Sequence, residues 1–242
     1  MLDFGSGYGR DGVDPLSENA LSLCKLIVDS PYADFFMIYT HGGNSYDANT
    51  PEGVMKYSVL ERDAVVGFKK RLEAELGVDI PCSVGSTPSC SHPPADGWDG
   101  VAEIHPGNFL MYDYQQCLIS SCKESDVACR VLTRVVGHYP QTNSIQVDLG
   151  WTGCSAQGAE HNYGKFDGQD DSPSSLIIAN LKQEAGTVTR RDKGPIDFSL
   201  YPIGSMLKLI PWHACAACHQ HSTLYIVDGE EIVEKWSTAT GW

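Results

Sequence analysis

No apolar run in this sequence approaches the ~20 residues that a membrane-spanning helix requires, so a membrane protein is not expected. The opening Met1-Leu2-Asp3 has neither the basic nor the apolar stretch of a signal peptide, which reads as a cytoplasmic protein. Basic residues are few: 17 Lys and Arg stand against 31 Asp and Glu, for a formal net charge of −14. The longest basic clusters are the pairs Lys69-Lys70 and Arg190-Arg191, so neither nucleic acid nor an anionic membrane is an expected partner. There is no Gly-x-x-x-x-Gly-Lys, no Gly-x-Ser-x-Gly and no complete dinucleotide fingerprint with its acidic residue, which argues against nucleotide-dependent chemistry. What remains is ordinary globular composition over 242 residues, 42% hydrophobic and 20% charged, which excludes disorder, collagen and coiled coil. Cysteine alone is plentiful. The nine are odd in number and irregularly spaced in a chain too large to need disulfide staples, so they are expected as buried small hydrophobes, one or two of them chemically employed.

The first half repeats a short apolar run, a Gly-rich or polar turn and a helical stretch. Leu2-Asp3-Phe4 is followed by Gly5-Ser6-Gly7-Tyr8-Gly9-Arg10, and Asp14-Pro15 predicts the start of a helix carrying Leu16, Ala20, Cys24, Ile27 and Val28. Phe35 to Tyr39 precedes His41-Gly42-Gly43-Asn44-Ser45-Tyr46, and Thr50-Pro51-Glu52 opens a long helix with Val54, Val59, Val65, Val66, Leu72 and Leu76. Ile80 to Val84 meets Gly85-Ser86-Thr87-Pro88, and Val101 to Ile104 meets His105-Pro106-Gly107-Asn108. Alternating strands and helices imply a parallel sheet, whose ligands sit in the loops after the strands, where all four turns fall. Glycine and small hydroxyl residues there let backbone N–H groups approach a phosphate.

From Asp126 onward the pattern turns to β without long helices. Strands are expected at 131–136, 145–149 and 206–210, and Leu224 to Val227, Asp228-Gly229, Glu230 to Val233 reads as a hairpin. Asp167 to Ser172 reads as an exposed loop. The fold class is therefore α/β plus β, with domains at residues 1–125 and 126–242.

The densest chemical cluster is Pro211-Trp212-His213-Ala214-Cys215-Ala216-Ala217-Cys218-His219-Gln220-His221. His213 and Cys215, two apart at the end of a strand, would point to one side and could ligate a metal, and nitrogen with sulfur favours zinc. Cys215-x-x-Cys218 is alternatively a redox pair or half of a structural zinc site, although a second Cys-x-x-Cys is absent. His219 and His221 read as surface residues. Glu160-His161 is a candidate acid/base pair or support for a metal ligand. Arg10 could orient a carboxylate or ring nitrogen, and His41 and Tyr46 bracket a glycine turn where they could flank a planar cofactor.

Taken in order, these motifs together with Glu103-Ile104, Tyr112-Asp113 and Pro211-Trp212-His213-Ala214-Cys215 resemble the D-serine dehydratase and D-threonine aldolase family. Its members are fold-type III pyridoxal phosphate enzymes assisted by zinc or manganese, with a barrel like that of alanine racemase. The resemblance implies that residues 1–125 form the C-terminal half of a (β/α)8 barrel and that residues 126–242 form the β domain with the metal site. It implies that Ser86 and Thr87, with the backbone of Gly107 and Asn108, hold the phosphate of pyridoxal 5'-phosphate, and that Tyr46 and Arg10 lie near its ring. His213 and Cys215 would bind zinc, with water and substrate completing the coordination, and Glu160 and His161 are candidates for protonation. The aldolases carry aspartate where Cys215 stands, which favours a dehydratase converting D-serine to pyruvate and ammonia. The alternatives are a D-threonine or other D-3-hydroxy-amino-acid aldolase and a non-catalytic zinc-binding remnant. The family's Schiff-base lysine lies in an Arg-x-His-x-Lys motif, and none of the ten lysines here has that context. The resemblance therefore implies a truncated chain that begins partway through the barrel, with exposed sheet edges that lead to aggregation or obligate pairing. The complete protein is expected as a cytoplasmic homodimer acting on a small D-amino acid.

Overall fold

The computed structural model describes residues 2–3, 9–48 and 50–239, and the chain divides into two units: residues 1–109 with 116–122, and residues 110–115 with 123–242. The Gly5 to Tyr8 turn lies outside the described residues. The first unit runs β1 (Leu2–Asp3), α1 (Glu18–Val28), β2 (Ile38–Thr40), α2 (Pro51–Leu76), β3 (Cys82–Val84), α3 (Thr87–Ser91) and β4 (Glu103–Ile104). Its four strands pair parallel in the order β1-β2-β3-β4, with Ile38 opposite both Leu2 and Cys82, and Val84 opposite Ile104.

The long helix forms where the sequence predicts it. Thr50 is extended (φ −143°, ψ 153°) and its hydroxyl accepts the Gly53 N–H at 3.1 Å, Pro51 sits where a missing N–H does no harm, and Gly77 (φ 67°) closes the far end. Val54, Ser58, Glu61, Val65, Phe68 and Leu72 recur at three or four, so α2 buries one stripe. Val65, Phe68 and Leu72 meet Ala20 and Cys24 of α1 and Ile38, Cys82 and Val84 of the sheet, each large side chain contributing about 1.5–3 kcal/mol by burial. Glu61 is the ionisable member of that stripe, a carboxyl with no exposed surface.

Two expectations are corrected here. Helix α1 is capped by Ser17, whose hydroxyl accepts the Ala20 N–H, rather than started by Asp14-Pro15. Asp14 instead closes the preceding turn, its carboxylate taking the Leu16 N–H at 2.9 Å and its carbonyl the Ser17 N–H at 3.0 Å, so Leu16 lies outside the helix and is exposed. Strand β2 begins at Ile38, and Phe36, expected within it, is exposed.

A short helix, α4 (Tyr114–Leu118), precedes the second unit's strands: β5 (Val131–Tyr139), β6 (Ser144–Val147), then α5 (Trp151–Cys154), β7 (Gly164–Phe166), β8 (Leu176–Leu181), β9 (Gly186–Arg190) and β10 (Met206–Pro211). Helix α6 (Ala214–His219) and the hairpin β11 (Thr223–Asp228) and β12 (Glu231–Ser237) follow. Six strands form an antiparallel sheet in the order β7-β10-β5-β6-β9-β8, and β11 pairs with β12 through the turn at Gly229 (φ 59°). Along β5, Val131, Thr133 and Val135 point inward and their neighbours outward, and the core gathers Val135, Ile145, Val147, Ile178, Val188 and Leu209. Strands β7, β8 and β9 are additions to the sequence expectation.

The cysteines also differ from expectation. None of the nine is in a disulfide, but only Cys24, Cys82 and Cys154 are buried; Cys215 is exposed and the rest are half-buried. Burial pushes the Cys24 thiol up to about 11 and Cys154 up to about 12, which makes both inert at neutral pH. Two pairs meet sulfur to sulfur at 3.6 Å, Cys117 with Cys122 and Cys129 with Cys218.

Candidate functional site

In the first unit the loops after β2, β3 and β4 are stitched together by hydroxyl groups. Ser86 is extended (φ −161°, ψ 152°) and caps α3 by accepting the Ser89 N–H at 3.2 Å; its Oγ also lies 2.6 Å from Ser89 Oγ and 2.9 Å from Ser45 Oγ, on the loop after β2. Ser45 donates in turn to the Gly42 carbonyl at 2.6 Å or to Ser86. Thr87 Oγ1 accepts the Asn108 N–H at 3.0 Å, which ties the loop after β3 to that after β4. Ser86, Thr87 and Asn108 are buried, whereas Gly107 is exposed and a Cβ there would meet nothing within 4 Å. The four residues expected around a phosphate are thus gathered in one place, a neutral hydroxyl cluster beside open space.

The sequence reading missed the group that braces this cluster. Glu61 of α2 accepts the Gly85 N–H at 3.0 Å, and Gly42 passes so close that a Cβ would stand 2.5 Å from Glu61 Oε2. Gly85 is packed as tightly, its missing Cβ 2.6 Å from the Cβ of His105. The signal available in the sequence was an acidic residue inside a largely apolar helical stripe.

His41 and Tyr46, expected to flank a planar group, stack on each other with centroids 6.4 Å apart and planes 28° from parallel. The Tyr39 hydroxyl lies 3.3 Å from His41 Nδ1. Burial lowers the His41 pKa, and the positive charge of Arg10 lowers it further, so His41 is neutral at pH 7. Arg10 is itself exposed and paired with Asp11 at 3.0 Å.

In the second unit the expected metal ligands occupy a different local geometry from the one anticipated. Strand β10 ends at Pro211; His213 is extended (φ −133°, ψ 108°) and precedes α6, and Cys215 lies in the first turn of that helix. They are therefore not alternate residues of one strand. Ala214-Cys215-Ala216-Ala217 favours helix as soon as the β10 pairing with Gly164 is complete. His213 is half-buried and Cys215 exposed. Among the described residues, no group of three or more His, Cys, Asp or Glu side chains is placed to hold a metal ion, which leaves His213 and Cys215 as a two-donor set.

Trp212 organises the surroundings. Its N–H donates to the Tyr163 carbonyl at 3.0 Å and its carbonyl accepts the Gln115 N–H at 3.2 Å. Its indole stacks on His161 at 4.2 Å and 4°, Tyr114 meets it edge-on at 6.2 Å, and Gly158 (φ 75°) lies so close that a Cβ would be 2.2 Å from the ring. The exposed Glu160-His161 turn is thereby held against the residue next to His213. The Ala214 N–H donates to Asp113 Oδ2 at 2.8 Å, and Asp113 has no exposed surface. The hydrogen bond from the Cys129 thiol draws the Cys218 pKa down to about 7, while Cys129 itself is pushed up. His219 is exposed as expected; His221 is half-buried and its Nε2–H donates to the Gly153 carbonyl at 2.8 Å.

Comparison with known proteins adds ancestry to this geometry. Residues 128–227 match the family model described as "Putative serine dehydratase domain". D-serine dehydratase of Dictyostelium discoideum is 32% identical, covering 100% of this chain and 64% of that protein. D-threo-3-hydroxyaspartate dehydratase of Delftia sp. strain HT23 is 31% identical, covering 85% of this chain and 56% of that protein. The solved structure of the Delftia enzyme superposes with a TM-score of 0.85 at 27% identity over 99% of this chain and 65% of its own. A cysteine-to-alanine mutant of D-threo-3-hydroxyaspartate dehydratase in the metal-free form and a histidine-to-alanine mutant give TM-scores of 0.85 and 0.86. An alanine-racemase-like protein from Idiomarina loihiensis gives 0.86 at 27% identity over 99% of this chain and 64% of its own. The chain thus spans less than two thirds of the length of the curated relatives it matches.

Proposed function

We propose that this chain, which belongs to the D-serine dehydratase family, supplies the phosphate cradle and the metal-binding turn of a dehydratase that uses pyridoxal 5'-phosphate and zinc on a small D-3-hydroxy-amino acid such as D-serine. The observation that carries the reading is the hydroxyl cluster at the ends of β2, β3 and β4, joined by the bonds from Ser45 to Ser86 and from Asn108 to Thr87. Hydroxyl and backbone donors beside the open Gly107 fit a phosphate, and an imidazole with a thiol fits zinc in a site completed by water and substrate. The four βα units are read as part of a (β/α)8 barrel of the alanine-racemase kind, residues 1–125, followed by a β domain, residues 126–242. A cytoplasmic homodimer belongs to the same reading.

Pyridoxal phosphate, when bound, takes up the electron pair left by the α-proton, and zinc makes the β-hydroxyl a better leaving group. Ser86, Thr87, Gly107 and Asn108 would hold the phosphate and so fix the position of the ring. Tyr46, braced face-on by His41, would limit the ring's tilt, and Arg10 would set the charge beside it. His41, kept neutral, offers an imidazole next to the Tyr39 hydroxyl that can pass a proton between the two. His213 and Cys215 would hold zinc, and Glu160 and His161 would handle protons on their own side of Trp212. No lysine here stands in an Arg-x-His-x-Lys motif, so the reading assigns this chain binding and orienting groups and no Schiff-base lysine.

Dehydratase is preferred to aldolase because Cys215 stands where the resemblance places aspartate in the aldolases. The relative's mutants support this choice, since the histidine and cysteine replaced in them are two residues apart, as His213 and Cys215 are. The test is equilibrium dialysis of the purified chain with pyridoxal 5'-phosphate and with Zn2+. One equivalent of each should bind, Zn2+ being lost in His213→Ala and Cys215→Ala and pyridoxal phosphate weakened in Ser86→Ala and Thr87→Ala. Binding of neither ligand by the folded wild-type chain refutes the reading.

A further inference from the structure

Helix α6 begins without a cap of its own. Its first N–H groups have no partner within the helix, and the residue before it, His213, contributes no side-chain hydrogen bond to them. The cap comes from 101 residues away: Asp113 Oδ2 accepts the N–H of Ala214, the residue between His213 and Cys215. Two residues further along the same segment, the Gln115 N–H donates to the carbonyl of Trp212, the residue before His213. The backbone on both sides of His213 is thus held by one short stretch of chain. That stretch is itself set by Tyr112, whose φ of 51° is a conformation that non-glycine residues adopt only when their surroundings hold them there. Asp113 is completely buried, and a buried carboxyl is retained only where its hydrogen bonds repay its removal from water.

We infer that Asp113 is the positioning residue of the metal-binding turn: by capping Ala214 it fixes the spacing of His213 and Cys215 and leaves both imidazole nitrogens of His213 clear of the capping role, so that the pair is set for a divalent ion of the zinc class before the ion arrives. The inference rests on the reading of His213 and Cys215 as the metal ligands. Residues that orient ligands from behind alter metal affinity by about 10- to 100-fold when lost.

The experiment is titration of the full chain with Zn2+ against a chromophoric chelator, and with Co2+ read by the thiolate-to-cobalt absorption, for wild type and for Asp113→Ala, Asp113→Asn, Asp113→Glu, His213→Ala and Cys215→Ala. Asp113→Ala should bind Zn2+ at least about tenfold more weakly, with a weakened or shifted cobalt band, while Asp113→Asn, which keeps an acceptor oxygen at the same place, stays within about threefold of wild type. Where Asp113→Ala does not fold, Asp113→Glu, whose oxygen is displaced by one methylene, must show the loss. Wild-type affinity in the Ala or Glu variant, with His213→Ala and Cys215→Ala both losing the metal, overturns the positioning role and leaves the ligand assignment standing. An Asn variant as weak as the Ala variant overturns the capping account. Undiminished binding in His213→Ala and Cys215→Ala overturns the ligand assignment, and the role of Asp113 with it.

Discussion

Replacing Glu61 by alanine probes the brace beneath the hydroxyl cluster. The Gly85 N–H is shared between two acceptors, Glu61 Oε1 at 3.0 Å and the Thr40 carbonyl at 3.1 Å, so the change removes one arm of a three-centre bond and does not orphan the donor. The lost bond is therefore worth about 0.5–1.5 kcal/mol, and not the larger penalty of a stranded buried group. Loss of the buried Cγ methylene adds about 0.8 kcal/mol, for a total of roughly 1–2 kcal/mol. At 1.4 kcal/mol per factor of ten, the protection of the Gly85 amide against hydrogen exchange should fall about five- to thirty-fold, read on peptides spanning 82–90. Glu61→Gln keeps the carbonyl oxygen and the shape and should leave protection within about threefold of wild type. The opposing effect is the desolvation of a buried carboxyl, which is relieved by truncation and can reach several kcal/mol. Unchanged or increased protection in Glu61→Ala would show that this relief dominates and would refute the brace.

Gly158→Ala should destabilise the second unit by at least ~2 kcal/mol, because φ 75° disfavours an L side chain and the new Cβ would collide with Trp212. Loss of the ring-current shift on the His161 protons checks that the 4.2 Å stack has opened; an unshifted spectrum refutes the packing. Cys218 should be the fastest of the half-buried thiols to alkylate, its rate rising with pH through a midpoint near 7 as the thiolate forms. Cys129→Ala removes the hydrogen bond that favours the thiolate, so the midpoint moves up toward the ordinary thiol range and the rate at pH 7 falls by more than about fivefold; a rate independent of Cys129 contradicts the shared proton.

What was legible in the sequence followed from local chemistry. Thr50-Pro51 opens α2 because capping is decided within four residues, and the Asp228-Gly229 hairpin forms because its turn suits that pair. That the loops after β2, β3 and β4 meet was legible because parallel strands deliver the loops that follow them to one end of the sheet, whereas the choice of Ser86, Thr87, Gly107 and Asn108 within them came from the family resemblance. Strand β8 was not, because a bulge between Ile178 and Asn180 breaks the alternation by which a half-buried strand is recognised. Nor was β7, which is three residues long and contains Gly164 at φ 136°. The end of β10 was misjudged because alanines after Trp212 turn the chain into a helix, which alters the geometry proposed for His213 and Cys215 while leaving the two residues neighbours. The bonding roles of Glu61 and Asp113 were hidden for another reason, although Asp113 stands in a motif of the family resemblance and Glu61 is an acidic residue in a largely apolar stripe. Each is a carboxyl paired with a backbone N–H, 24 and 101 residues away, and a backbone donor leaves no mark on residue identity.

The chain passes from one unit to the other three times, after residues 109, 115 and 122, and this has a consequence for any attempt to treat the units as interchangeable parts. No single cut separates them. A fragment that begins at 123, or that is trimmed to the matched segment 128–227, omits the short insert carrying Asp113 and Gln115, and so carries the turn from Trp212 to Cys215 without the backbone that holds it. Recombining this module with another scaffold would need a two-piece graft, and the inheritance of the insert together with the sheet is what would keep the turn intact through such exchanges.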